Sequence, residues 1–171
     1  MLTDTLLSGT ELRSLWMQFG DDDSLPDHYE LTEHGELVMS PKPTNRHQRL
    51  CSEISAQLRE ILGGEAVVEA AVLTTTAGVG VPDVVWMPKQ RWAVVNNESG
   101  LVEAPELVVE VLLPGNRRGA VAHKVQAYLA CGIREVMVVA LDGAITFHRA
   151  DGQHETSAFG VVLDLPDDLF R

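Results

Sequence analysis

A chain of 171 residues, 45% hydrophobic and 22% charged, is sized for one folded domain and lacks the polar, low-complexity signature of disorder. Thirteen Lys and Arg against 25 Asp and Glu give a net charge of −12, which argues against coating nucleic acid through general electrostatics but leaves room for a local basic groove. No apolar run approaches the roughly 18 residues of a membrane span, the start carries no signal-peptide pattern, and two cysteines, Cys51 and Cys131, exclude a disulfide framework or four-cysteine zinc site, so a cytoplasmic protein with reduced thiols is expected.

Leu12, Leu15, Trp16 and Phe19 recur at helical spacing, and the acidic run Asp21, Asp22, Asp23 followed by Pro26 ends that segment. Residues 29–31 and 36–39 flank the turn-like Glu33-His34-Gly35 and read as a hairpin. Asn45 and Gln48 form a capping pair for a helix whose stripe of Leu50, Cys51, Ile54, Leu58, Ile61 and Leu62 stops at Gly63-Gly64. Residues 67–73 and 81–86 are strand-like, residues 92–104 have no clear period, and 107–113 is a nearly continuous apolar run typical of a strand covered on both faces. A second long helix over about 119–130, a buried strand over 135–140 and the hairpin signal Asp142-Gly143 follow, with edge strands expected in the tail. The order implies an α/β (α+β) domain in which a mixed central sheet is flanked by helices. The whole chain, 1–171, is taken as one domain: a helix and loop to residue 28, a core over 29–148 and a tail over 149–171.

Glu110 interrupts the covered strand, and a charge there is expensive unless it is paired or bound to metal. A metal ligand and a salt bridge are both open. Asp83 follows Pro82 at the start of another strand and is either a second ligand or a turn cap; two acids on neighbouring strands suit a hard divalent cation. Lys124 lies three residues after Val121 and four before Tyr128, on the apolar side of its helix, so it should point toward the sheet. There it could neutralise the acids or hold a phosphate and orient an attacking water. Lys42, Arg46 and Arg49, then Arg117, Arg118 and Lys124, form two acid-free stretches that are either phosphate-binding stripes or solvated loops. No HExxH or spaced Cys/His set points to a zinc hydrolase, and no serine sits in a nucleophile elbow.

Tyr29-Glu30-Leu31, Gly35-Glu36-Leu37-Val38-Met39-Ser40-Pro41, His47-Gln48, Val81-Pro82-Asp83-Val84, Pro105-Glu106-Leu107-Val108-Val109-Glu110-Val111-Leu112 and residues 124–135 occur in an order and spacing that resemble the Uma-two family of restriction-endonuclease-like proteins, within the PD-(D/E)XK nuclease superfamily. The resemblance implies a restriction-endonuclease-like core over residues 29–148. It makes Pro82-Asp83 the PD element and Glu110 the second acid. Leu112 stands at the usual lysine position, and the resemblance assigns that lysine to Lys124 on the following helix. Glu36 would be a third acid near the metal, and His47 a further site residue. Two departures stand out: Leu113-Pro114-Gly115 replaces the usual Ser-Pro-Ser, and residues 136–140 lack the common Tyr-Trp and terminal Asp.

The expected function is that of a Mg²⁺- or Mn²⁺-dependent DNA endonuclease, with Glu36, Asp83, Glu110 and Lys124 catalytic and Asp83 and Glu110 holding the metal. Lys42, Arg46, His47, Arg49, Arg117 and Arg118 would contact DNA, and two copies would pair as a homodimer. A noncatalytic nucleic-acid-binding or assembly module on the same scaffold is the alternative. The catalytic version requires Glu36, Asp83, Glu110 and Lys124 to meet in one cleft.

Overall fold

The computed structural model describes residues 5–95 and 100–171. Helix α1 (Gly9–Gly20) starts at a capping box: Ser8 Oγ accepts from the Glu11 N–H while the Glu11 carboxylate accepts from the Ser8 N–H. Helix α2 (Asn45–Leu62) is capped by Thr44, whose hydroxyl accepts from the His47 N–H at 3.2 Å. Asn45 is already inside the helix. The capping pair expected at Asn45 and Gln48 is therefore displaced by one residue, because Thr44 is extended and its hydroxyl meets the first turn sooner.

Strands β1 (Tyr29–Leu31) and β2 (Leu37–Met39) form the expected antiparallel hairpin. The run expected as one strand over 67–73 is two, β3 (Glu65–Val68) and β4 (Ala71–Leu73), separated where Glu69 adopts a left-handed φ of 54°. That break sends the two strands into different sheets. Next come β5 (Val79–Gly80), β6 (Val84–Met87), the short helix α3 (Lys89–Trp92), β7 (Leu101–Glu103) and β8 (Leu107–Val111). Helix α4 (Arg118–Ala130), strands β9 (Glu135–Val139), β10 (Ile145–Arg149) and β11 (Gly152–His154) and a 3-10 turn (Asp167–Phe170) complete the order. Residues 96–99, part of the stretch without a clear period, lie outside the described residues.

The architecture is mixed α/β, as the sequence implies, but its strands divide between two mixed sheets in place of one. One runs β2-β1-β5-β4-β7 and the other β11-β10-β9-β8-β6-β3, with β4/β7 and β8/β9 the parallel pairs. Strand alternation decides the layers. On the six-stranded sheet, Val84, Trp86, Val109 and Met137 face α2 and the apolar tail, whereas Val85, Met87, Val108 and Val136 face α4. Helix α4 also meets Val72 and Val102 of the five-stranded sheet through Val125 and Tyr128, so it lies between the sheets. Helix α1 covers the far face of the five-stranded sheet through Leu12, Leu15 and Trp16.

Two details fix the region where the sheets converge. Gly80 sits so close to α4 that a Cβ there would lie 2.8 Å from the Tyr128 hydroxyl, so any side chain would displace Tyr128. Buried acids on the parallel neighbours β8 and β9 have contrasting surroundings. Glu135, fully buried, is held by Arg149 at 2.8 Å, Ser157 Oγ at 2.6 Å and the Ala158 N–H at 2.7 Å, which accounts for it as a structural ion pair. Glu110 borders a cleft instead.

Candidate active site

The cleft has a volume of about 670 Å³ and opens where the β1/β5 region of one sheet meets the β6/β8 region of the other, with α4 along one wall and the start of α2 at the rim. Its polar lining includes Glu30, His47, Asp83, Glu110, Lys124 and Tyr128. Each is delivered by its element. In β8, alternation points Val109 and Val111 at α2 and leaves Glu110 on the α4 side. In α4, Lys124 and Tyr128 are four residues apart on the face that meets Glu110.

Lys124 Nζ lies 3.1 Å from Glu110 Oε1 and 2.9 Å from Glu30 Oε1. Tyr128 donates its hydroxyl to the same Glu110 oxygen at 3.0 Å. Glu30 Oε1 also accepts from the Val81 N–H at 3.0 Å, which ties β1 to the approach to β6. The ladder between β6 and β8 pairs Val84 with Val109, and continuing that register sets Asp83 opposite Glu110. Asp83 stands one residue outside β6, and its side chain takes over the pairing: Oδ2 accepts from the Val111 N–H at 2.6 Å. Its other oxygen, Oδ1, lies 3.1 Å from His47 Nε2.

Charge within the cleft is unbalanced. Two carboxylates, Glu30 and Glu110, hold one ammonium, that of Lys124, and the third, Asp83, is paired with His47, which offsets it only when protonated. Burial pushes the Glu110 carboxyl up to about 7; Lys124 opposes the rise, while the negative charges of Asp83 and Glu30 add to it. Burial pulls on Lys124 in the opposite sense, but attraction to Glu110 and Glu30 outweighs it and holds the ammonium above the usual lysine value. The hydrogen bond that His47 donates to Asp83 raises its pKa despite its burial. Cys51, behind His47, is pushed up by burial and by the neighbouring Asp83 charge.

Asp83, Glu110 and Lys124 thus meet in one cleft. Glu36 does not join them: it is exposed just before the start of β2, with its backbone N–H on Thr32 Oγ1 at 3.1 Å, and does not line the cleft. The additional acid that does is Glu30. Tyr29 packs with Trp16 and Phe19, and Leu31 is buried against α1, so Glu30 between them must face the other way. That alternation is present in the sequence but spans only three residues.

The expected nucleic-acid contacts divide. Ser40, Pro41 and Pro43, then Leu112, Leu113 and Asn116, line the cleft, so the segments carrying Lys42 and Arg117 border it although neither basic side chain lines it. Arg118 opens α4 and is exposed, as is Lys42. Arg46 lies toward a small neighbouring pocket with Leu112, Leu113 and Phe170. Arg49 is 3.5 Å from Asp168 in an exposed pair. His47 is buried and bonded to Asp83, which removes it from the solvent-facing set.

Comparison with known proteins gives the fold an independent footing. A crystal structure of an Anabaena variabilis protein, described as "a putative nuclease belonging to DUF820", superimposes with a TM-score of 0.68 at 19% identity, covering 96% of this chain and 97% of that one. At that identity the likeness shows a shared fold. No protein of curated function matches the chain. The model of the Uma2 (Uma-two) family, described as "Putative restriction endonuclease", matches residues 19–169, beyond both ends of the 29–148 core expected from motifs. With the greater part of its length matched, the chain belongs to the Uma2 family.

Proposed function

We propose that this protein hydrolyses phosphodiester bonds in DNA, using Mg²⁺ or Mn²⁺ held by Asp83 and Glu110. The observation that supports this reading best is that Glu30, Asp83 and Glu110 line one open cleft in which Lys124, paired with Glu30 and Glu110, is the single ammonium among the described residues, so that the cleft carries more negative charge than the chain itself offsets. The donor set fits a hard dication: carboxylate oxygens of Glu110 on β8 and of Asp83 just before β6, at positions that face each other when the register of the two strands is continued. Bound there, the ion would polarise the scissile phosphate and stabilise the charge that develops on it.

The chain's own residues do the rest. Lys124, a third exposed on the cleft side of α4, reaches a phosphate oxygen or orients the attacking water. Glu30 positions that ammonium from the facing sheet, and this reading passes to Glu30 the place first given to Glu36. Tyr128 steadies Glu110, while His47 and the Val111 N–H fix the two oxygens of Asp83. Lys42, Arg46, Arg117 and Arg118 flank the cleft as contacts for the DNA backbone, and Arg49 joins them if its exposed pair with Asp168 opens. The pairing of two copies stays part of the proposal, since cutting both strands of a duplex calls for two sites. A cytoplasmic setting fits two unpaired cysteines, and no helix among the described residues is long and apolar enough to cross a membrane.

One observation favours the noncatalytic module: Lys124 is already engaged by two carboxylates, as a purely structural counter-ion would be. A panel of DNA and RNA substrates incubated with Mg²⁺, Mn²⁺ or chelator decides between the two. The nuclease reading expects metal-dependent DNA cleavage that Asp83→Ala abolishes; absence of cleavage across the panel leaves the binding module.

A further inference from the structure

His47 and Cys51 are four residues apart on α2, so one face of the helix carries both toward Asp83 at the start of β6. His47 Nε2 is 3.1 Å from Asp83 Oδ1, and Cys51 Sγ is 3.7 Å from His47 Nδ1 and 3.9 Å from Nε2. One donor atom from each of the three lies within 4.8 Å of the others. Around a tetrahedral ion with bonds of about 2.0 to 2.3 Å, ligand atoms stand roughly 3.3 to 3.7 Å apart, so the triad is already close to that size. Cys51 is buried and forms no disulfide, and the side chains that meet the His47 ring as polar partners are Asp83 and Cys51.

Nitrogen, sulfur and oxygen together suit a zinc-type ion and not Mg²⁺, whose ligands are oxygens. We infer that His47, Cys51 and Asp83 form a zinc-binding site on the wall of the cleft, and that zinc there inhibits the protein by drawing Asp83 away from the oxygen-ligand site it shares with Glu110. The binding half stands on the triad alone; the inhibitory half rests on the proposed function. His47 and Asp83 line the cleft, so an ion can reach the triad from it, with a fourth position left for water. Closure takes a rotation of the imidazole, because Sγ is nearly equidistant from the two ring nitrogens, and binding displaces the thiol proton.

Cobalt(II) added to the intact protein tests the binding half. A thiolate-to-cobalt charge-transfer band is expected, lost on adding Zn²⁺, retained by Cys131→Ser and absent from Cys51→Ser, whose Zn²⁺ affinity falls by about 100-fold or more. No band in the unmodified protein, or a band that survives Cys51→Ser, overturns the site. Because Cys51→Ser alters a buried position, zinc-edge X-ray absorption on the unmodified protein gives a second reading: one sulfur at about 2.3 Å is expected, and a shell of nitrogen and oxygen alone overturns it. For the inhibitory half, one equivalent of Zn²⁺ should release bound Mn²⁺, seen as recovery of the free-ion paramagnetic resonance signal. Mn²⁺ that stays bound to zinc-loaded protein overturns the inhibition. Failure of the unmodified protein to bind Mn²⁺ removes the proposed function and the inhibition together, and the cobalt band then judges the zinc site by itself.

Discussion

Lys124→Met is expected to lower single-turnover DNA cleavage by about 100- to 1,000-fold, the usual consequence of removing a charge that stabilises a transition state. Methionine keeps an unbranched apolar stem as far as Cε, so packing beside Val121 and Tyr128 survives. What is lost is the ammonium between Glu30 and Glu110. Those acids then face each other without a counter-ion, and Glu110, already raised to about 7, should hold its proton still more tightly. The metal-free variant should be less stable by about 1 to 3 kcal/mol, below the cost of breaking a fully buried pair because Lys124 is a third exposed. Divalent metal should recover part of that loss by binding the folded state. Cleavage at the normal rate would defeat the catalytic role of Lys124, and a lower melting temperature alone would make it a structural counter-ion.

Glu110→Gln is expected to move stability and activity in opposite directions. In the folded protein the Glu110 carboxyl titrates near 7, above its unfolded value, so its proton contributes stability that is complete below about pH 4.5 and lost as pH rises through 7. Glutamine fixes the uncharged state. At pH 8 without metal, the variant should therefore gain on the order of 2 kcal/mol over the unmodified protein, and at pH 4.5 the two should differ little. Cleavage should vanish, along with most of the thermal stabilisation by Mg²⁺. The same linkage predicts that Mg²⁺ stabilises the unmodified protein more at pH 8 than at pH 6, because below 7 the ion must displace a proton. Denaturant melts at three pH values, with and without Mg²⁺, check all of this. A variant less stable than its parent at pH 8 would mean that the charged form of Glu110 is well accommodated, and the unbalanced cleft would lose its main support.

Much of this site was legible from local pattern. A single acid in an apolar run identified Glu110, a Pro-Asp step before Val84-Val85-Trp86 identified Asp83, and helical spacing turned Lys124 inward. Glu110 and Lys124 lie in elements long enough for a period to be read, and Asp83 immediately precedes one. Glu30 was not legible by the same means, because β1 holds three residues and the packing of Tyr29 and Leu31 on α1, which fixes its direction, is a tertiary fact. Glu36 looked equally suitable by motif, yet it stands just before the start of β2, where alternation does not direct a side chain. The division into two sheets follows from the left-handed turn at Glu69, which a non-glycine residue does not announce. Similarly, the pairing of His47 with Asp83 joins positions 36 residues apart, beyond the reach of any local signal.

Crystals soaked in Mn²⁺ offer the most direct measurement, because anomalous scattering locates the ion without reference to activity. A peak between the carboxylates of Asp83 and Glu110, within about 2.0 to 2.4 Å of an oxygen of each and absent from Asp83→Ala crystals, is the predicted result. A peak that contacts neither acid, or no peak under conditions where the protein cleaves DNA, would contradict the assignment of these two residues as the metal site.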